Sequence, residues 1–204
     1  MIHRGNLLQI SHSFKIILGS SSKYRKELLD RILDKYSIEC PNVDEKNINN
    51  KNAKEHSKDL ALLKVDHVAK NQKNALIISA DQIGVIDNNL LEKPLNKQDA
   101  LEQLLSYSNK TAHFFTSSVI LDSKNCKYYK HTEKTTIHFG KISAAMANAY
   151  IEHDDPLDCA GSFKAECGGV ILFKSIETND PTALIGLPLI WVSLILKKLN
   201  VLIN

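Results

Sequence analysis

The amino-acid sequence predicts a single mixed α/β domain over residues 15–204, bilobed around a shared cleft, and three observations predict it. Short apolar runs of strand length alternate with segments whose apolar residues recur every three or four positions. No Pro-, Gly- or Ser-rich linker, internal repeat or low-complexity block divides the 204 residues. A hydrophobic content of 43% over that length can bury one substantial core, or two lobes sharing a cleft, without disulfides or structural metals.

The elements follow in order. Residues 15–19 are a short apolar run that stops at Ser20, Ser21 and Ser22, and Tyr24, Leu28, Leu29, Ile32 and Leu33 then recur at helical spacing. A second strand is predicted over 38–43, then a polar loop rich in Asn and Lys, a helix over about 58–71 and a buried strand over 75–80. Residues 85–91 read as a hairpin turning at Asp87, Asn88 and Asn89, and Asn96 caps a helix carrying Ala100, Leu101, Leu104 and Leu105. Long paired strands over 111–121 and 128–139 come next. A helix over 143–153, strands near 160–163 and 170–176, and a last helix over about 188–199 complete the series. Residues 1–14 stand apart as an N-terminal extension. They carry an early arginine but no continuous apolar core with a small-residue cleavage site, so they do not read as a signal peptide.

Composition argues against two classes of partner. The 26 basic and 23 acidic residues give a net charge of only +3, with the lysines scattered, so no nucleic-acid or membrane surface is expected. Residues 183–196 are the most apolar stretch, but Gly186 and Pro188 interrupt them and they are too short for a bilayer core of about 30 Å. Cys40, Cys126, Cys159 and Cys167 form no Cys-x-x-Cys pair and read as reduced thiols of a cytoplasmic protein. The eight histidines show no metal-ligand spacing.

Several residues could carry chemistry. A loop of small residues, Gly19 to Ser22, entering a helix with Lys23, Tyr24, Arg25 and Lys26 leaves backbone N–H groups and cations that suit a phosphate; taken alone, an ordinary serine cap is the better reading. Asp81 follows the apolar run 75–80, and an acid delivered by the carboxyl end of a buried strand can ligate a metal or orient water, or simply close the strand as a turn. Asp44 and Glu45 follow the second strand and offer oxygen ligands for Mg²⁺, or are solvated loop residues. Lys64 shares a helical stripe with Leu60, Leu63 and Val68, where it must snorkel or meet an anion, and snorkelling is the simpler expectation. Lys93 before Pro94, and Lys164 after Gly161, Ser162 and Phe163, are weak signals individually.

Taken together and in order, these segments resemble the Maf family of nucleotide pyrophosphatases, from Ile16 to near the C-terminus. The landmarks are residues 20–29; Val43, Asp44 and Glu45; Lys64; Asp81; Lys93 and Pro94; Ala160 and Gly161; and Gly186, Leu187 and Pro188. Gln82 after Asp81, and Phe163 and Glu166 within residues 159–166, are similar to the 7-methyl-GTP pyrophosphatase branch, with residues 179–181 and 184–188 adding to the likeness. The chain departs from the family pattern at Gly19 (usually Ala), Lys23 (usually Pro) and Lys26 (usually Arg), and lysine keeps the charge but not the bidentate fork of arginine.

The resemblance implies an α/β fold with a mixed twisted sheet and flanking helices, bilobed with a central cleft, like the inosine-triphosphatase-like proteins. It implies hydrolysis of a nucleoside triphosphate, 7-methyl-GTP with UTP and CTP as further candidates, to the monophosphate and pyrophosphate. Asp81 is then the general base, acting directly or by way of the cation. Glu45 and Asp81 hold a divalent metal cation (Mg²⁺ or Mn²⁺). Ser20, Arg25, Lys64, Lys93 and Lys164 bind phosphate, while Tyr24, Gln82 and Glu166 set base specificity. A homodimer is compatible with it. Two rivals stay open: a nucleotide-binding regulator of septum formation and cell division, and a dITP/XTP-type housecleaning pyrophosphatase. Joint retention of Arg25, Glu45, Lys64, Asp81, Lys93 and Lys164 argues against the first, and the Asp81–Gln82 and 163–166 signatures against the second.

Overall fold

In the computed structural model, residues 9, 14–45 and 52–203 are described. The N-terminal extension expected at residues 1–14 lies outside them except for Gln9 and Phe14. Gln9 forms an isolated antiparallel bridge with Leu202, and its side-chain oxygen accepts from the Asp34 and Lys35 N–H groups.

The chain builds β1 (Lys15–Leu18), α1 (Lys23–Leu29), β2 (Ser37–Ile38), α2 (Ala53–Ala69), β3 (Ala75–Ile86), β4 (Asn89–Leu90), α3 (Lys97–Ser106), β5 (Thr111–Asp122), β6 (Lys127–Phe139), α4 (Ala144–Asp154), β7 (Phe173–Glu177) and α5 (Leu189–Lys198). The strands form one sheet in the order β2-β1-β3-β5-β6-β7, with β4 hairpinned onto β3. The β1–β2 and β1–β3 pairings are parallel and the rest antiparallel, so the sheet is mixed, as expected.

Alternation along the strands decides which helices cover which face. Ile16 and Leu18 of β1, with Leu76, Ile78 and Ala80 of β3, pack against Leu28 and Leu29 of α1 and Val192 and Leu196 of α5. Ile17 and Ile77 point the other way, onto Ala61, Val65 and Val68 of α2. The far ends of the long strands make a second lobe, in which Ile86, Phe114, Ile137 and Phe139 pack with Leu104 of α3, Tyr150 of α4 and Phe163. Each fully buried Leu or Ile is worth about 1.5–3 kcal/mol, so both lobes hold by apolar burial. Among the described residues no helix is long and apolar enough to cross a membrane.

Helix starts follow the caps. Asn96 and Ser143 accept from Asp99 and Met146 N–H, as their sequence positions predict. Several elements differ from expectation. Helix α2 starts at Ala53 rather than near 58, because the Asn52 side chain accepts from Lys54 and Glu55 N–H inside the polar stretch. The second strand is only Ser37–Ile38, since β1 offers it two partners before it ends. Residues 160–163 are not a strand: Gly161 and Ser162 adopt φ of 78° and 61°, left-handed backbone that no ladder tolerates. Residues 168–172 are likewise a 3-10 turn, and strand geometry begins only at Phe173.

Candidate active site

The strand bearing Asp81 does not end where the apolar run ends. Strand β3 continues to Ile86, paired along β5, and Asp81 sits opposite Ser117 in its middle. On the other edge β1 pairs only as far as Ile78, so Asp81 lies three residues beyond the carboxyl end of β1, where the chain leaves the sheet through Gly19 to Ser22. That position, beside the carboxyl end of a parallel strand, is where open α/β sheets place ligands.

Asp81 shares a face with Ile77, the α2 face. There it meets Lys64, and the two side chains are 9% and 10% exposed. Glu45 Oε1 lies 3.0 Å from the same Lys64 Nζ, so one ammonium bridges two carboxylates. The expectation that Lys64 snorkels is therefore corrected: at this depth the charge requires partners, and it has two. Gln82 takes the opposite face and its amide NH₂ donates to Thr116 Oγ1 (2.9 Å), Ala183 O (2.9 Å) and Leu184 O (3.0 Å). Those acceptors fix the orientation of the amide, with its nitrogen toward them.

Arg25, half-buried, is held by the loops around it. Its Nε donates to Gly186 O at 3.0 Å and one guanidinium nitrogen to Ser20 Oγ at 3.3 Å. Gly186 has φ of 129°, which places that carbonyl over α1 and excludes residues with a side chain. Burial lowers the Arg25 pKa, and the Asp81 and Glu45 carboxylates work against that fall. An arginine remains charged in either case.

These side chains line one cavity of about 610 Å³. Of the expected site residues, Ser20, Tyr24, Arg25, Glu45, Lys64, Asp81, Gln82, Lys93 and Glu166 all border it. Lys164 does not. Its ammonium is turned to the Asp154 and Asp155 carbonyls, at 2.8 and 2.9 Å, where α4 ends with Asp155 in left-handed conformation. A lysine closing a helix C-terminus meets the negative end of the dipole, and this contact accounts for the place of Lys164 without a phosphate. Lys26 is likewise outside the cavity, paired with Asp30 on the surface of α1.

The cavity wall also contains Lys23, from the small-residue loop and helix start, and two residues that sequence reasoning passed over, Asp158 and the packing residue Phe114. The Tyr24 hydroxyl donates to Asp158 Oδ2 at 3.0 Å and lies 3.5 Å from Cys159 Sγ. Tyr24 therefore belongs to the cavity, not to the apolar stripe of its helix. Burial raises its pKa above the ordinary phenol value, and its hydrogen bonds with Cys159 and Asp158 add to the rise. Burial also pushes the Asp158 carboxyl up, but hydrogen bonds from Lys23, Tyr24 and Cys159 outweigh it and hold the carboxyl below the usual carboxylate range. Burial raises the carboxyl of Glu166. No local pattern marks Asp158, which reaches Tyr24 across 134 positions of chain.

Burial pushes the Cys159 thiol up to about 11, so it is a protonated, weak nucleophile at neutral pH. All four cysteines are free. Activity should be indifferent to mild reductant, and iodoacetamide at neutral pH should label exposed Cys40 and Cys126 well before Cys159, as followed by peptide mass spectrometry. Fast labelling of Cys159, or activity that depends on its oxidation, would contradict the packing described.

Comparison with known proteins agrees with this fold. The fold is that of a HAM1 protein from Coxiella burnetii, with a TM-score of 0.50 over 91% of this chain and 100% of that one at 13% identity. A family profile described as Maf-like protein matches residues 15–199, and the chain belongs to that family. It is 41% identical over 187 residues, 92% of this chain and 96% of the other, to a protein of Pseudoalteromonas atlantica named 7-methyl-GTP pyrophosphatase. A protein of Idiomarina loihiensis with the same name is 39% identical over 86% of this chain and 89% of its own length.

Proposed function

We propose that the chain is a nucleoside triphosphate pyrophosphatase that hydrolyses 7-methyl-GTP to the monophosphate and pyrophosphate. The observation that carries the reading is that two separate charge clusters meet in one cavity. Arg25 borders it with Asp81 and Glu45, the two carboxylates that share Lys64, whereas Glu166 borders it with Asp158 and Tyr24, which hydrogen-bond to each other. A triphosphate matches the first cluster, with its buried acid and cations, and a cationic purine matches the second, with its carboxylates and aromatic ring. The names of the relatives point to the same substrate.

Lys64 engages Oδ1 of Asp81, which leaves Oδ2 to take the proton of the water that attacks the α-phosphorus. Arg25, Lys93 and Ser20 border the space for the phosphate chain, where fixed cations stabilise charge developing on the leaving pyrophosphate. A phosphate entering there competes with Glu45 and Asp81 for the Lys64 ammonium and so frees both carboxylates. Those two carboxylates already converge on one cation, and Mg²⁺ commonly takes one or two carboxylates plus waters and substrate phosphates, so Glu45 and Asp81 would hold Mg²⁺ or Mn²⁺. When bound, that ion neutralises phosphate charge and acts as a Lewis acid. Among the described residues no group of three or more His, Cys, Asp or Glu could hold an ion, so the fit is to a cation that arrives with the nucleotide. Free thiols suit the reducing cytoplasm, which is where we place the protein.

The test is a panel of standard and methylated nucleoside triphosphates with Mg²⁺ or Mn²⁺, with monophosphate and pyrophosphate as readouts. Release of orthophosphate, or tight nucleotide binding without hydrolysis, would defeat the reading. Specificity has its own test. Glu166→Gln should lower kcat/KM for 7-methyl-GTP more than for UTP or CTP, because only the methylated purine presents it a positive charge. Equal losses on all three would remove Glu166 from base recognition.

A further inference from the structure

We infer that Asp158 is a specificity-determining residue for the base and that Lys23 holds its place, so that a nucleotide with a cationic heterocycle enters by displacing the Lys23 ammonium. The inference rests on the nucleotide reading of the cavity and names a further residue pair within it.

Three groups at the cavity wall close on one another. Lys23 Nζ is 2.9 Å from Asp158 Oδ2 and 4.8 Å from the centre of the Tyr24 ring, and the Tyr24 hydroxyl donates to that same Oδ2 at 3.0 Å. A carboxylate joined to an aromatic face is a receptor for a delocalised cation. The cation it holds is the chain's own.

Exposure decides whether that cation can leave. The Lys23 and Asp158 side chains are 62% and 44% exposed, and ion pairs so open to water are weak and readily exchanged. Asp158 does not depend on Lys23 for its position. It ends the 3-10 turn Pro156–Asp158, its Oδ1 lies 3.4 Å from Lys164 Nζ, and Lys164 is itself anchored on the α4 carbonyls. When Lys23 swings into solvent, Oδ2 keeps the tyrosine hydrogen bond and its charge. A base with a positive ring, such as an N7-alkylated purine, replaces what the site loses. A neutral purine does not, and it also meets the field of an unpaired lysine.

The pair therefore predicts opposite shifts in one ratio, kcat/KM for 7-methyl-GTP over kcat/KM for GTP. Lys23→Met removes the competitor and should raise the ratio about two- to five-fold, chiefly by lowering KM for the methylated substrate. Asp158→Asn removes the anion and should lower the ratio by a similar factor. The double variant should behave as Asp158→Asn alone, because Lys23 acts through Asp158. Added salt should shrink the effect of Lys23→Met, since both partners are exposed. A merely structural role would move both substrates together and leave the ratio fixed.

A ratio unchanged in either single variant, or shifted the other way, overturns the inference while leaving the pyrophosphatase reading intact. If the parent hydrolyses no 7-methyl-GTP, the substrate reading fails and binding of 7-methylguanosine against guanosine, measured by calorimetry, decides the inference. Tighter binding of the methylated nucleoside, strengthened by Lys23→Met and weakened by Asp158→Asn, supports it; equal binding of the two nucleosides overturns it.

Discussion

Asp81→Asn is expected to fold as the parent does, to bind nucleotide within a few-fold of the parent affinity, and to lose roughly 10²-fold or more in kcat. The two side chains have nearly the same shape, and an asparagine oxygen still accepts from Lys64, so the geometry of the buried pair survives. An amide does not take up the proton of an attacking water. Lys64 keeps Glu45 as its anionic partner, which limits the stability loss to about 1–3 kcal/mol, the cost of weakening a buried charged hydrogen bond. Steady-state hydrolysis beside calorimetric binding of the nucleotide separates the two effects. Turnover close to the parent value would take Asp81 out of the chemistry, and unfolding would show that its role is to neutralise Lys64.

The strands and most helices were legible because their apolar periods are clean, and failures cluster where the site disturbs the pattern. The apolar run 75–80 stops at Asp81, and a strand predicted to end there continues six residues further, because the sheet must carry polar side chains to the cavity from its middle. Lys64 was legible as a lysine on an apolar stripe. Its partners were not, since Asp81 lies 17 positions away on another element and Glu45 in a loop. Lys164 was placed on phosphate by resemblance alone. The contact that holds its ammonium, at the left-handed end of α4 at Asp155, leaves no mark in the sequence beyond an Asp-Asp-Pro that resembles any other turn. In residues 160–163, apolar Ala160 and Phe163 suggested a strand, while Gly161 beside Ser162 was the available sign of a turn. Asp158 escaped notice for a different reason, and so did its pairing with Lys23: neither residue marks the other until the fold sets Lys23 on the ring of Tyr24 and against Asp158.

Lys64→Met should be the most disruptive single change at the site, in stability as well as in activity. It removes the ammonium bridging Asp81 and Glu45 and puts an apolar chain of similar length in its place. Asp81, with its side chain 9% exposed, is then a buried carboxylate without its cation, and breaking a buried pair from one side typically costs about 3–5 kcal/mol. Glu45 is half exposed and can turn to water, which keeps the expected loss near 3 kcal/mol, at the low end of that range. Mn²⁺ supplies what the substitution takes away, since two freed carboxylates converge on the vacated position. Chemical denaturation should therefore show a variant much weaker than the parent in a chelator and partly restored by Mn²⁺, while the parent responds less because its ammonium already satisfies those oxygens. Restored stability should not restore turnover, because the lysine proposed to meet the phosphate chain is still missing. Lys64→Arg separates charge from geometry: it should keep most of the stability and lose activity, since a planar fork does not place one donor between two carboxylates as an ammonium does. A Lys64→Met protein of parental stability in chelator would mean that the buried pair contributes nothing to the fold. One with parental turnover would mean that the phosphate chain binds elsewhere in the cavity.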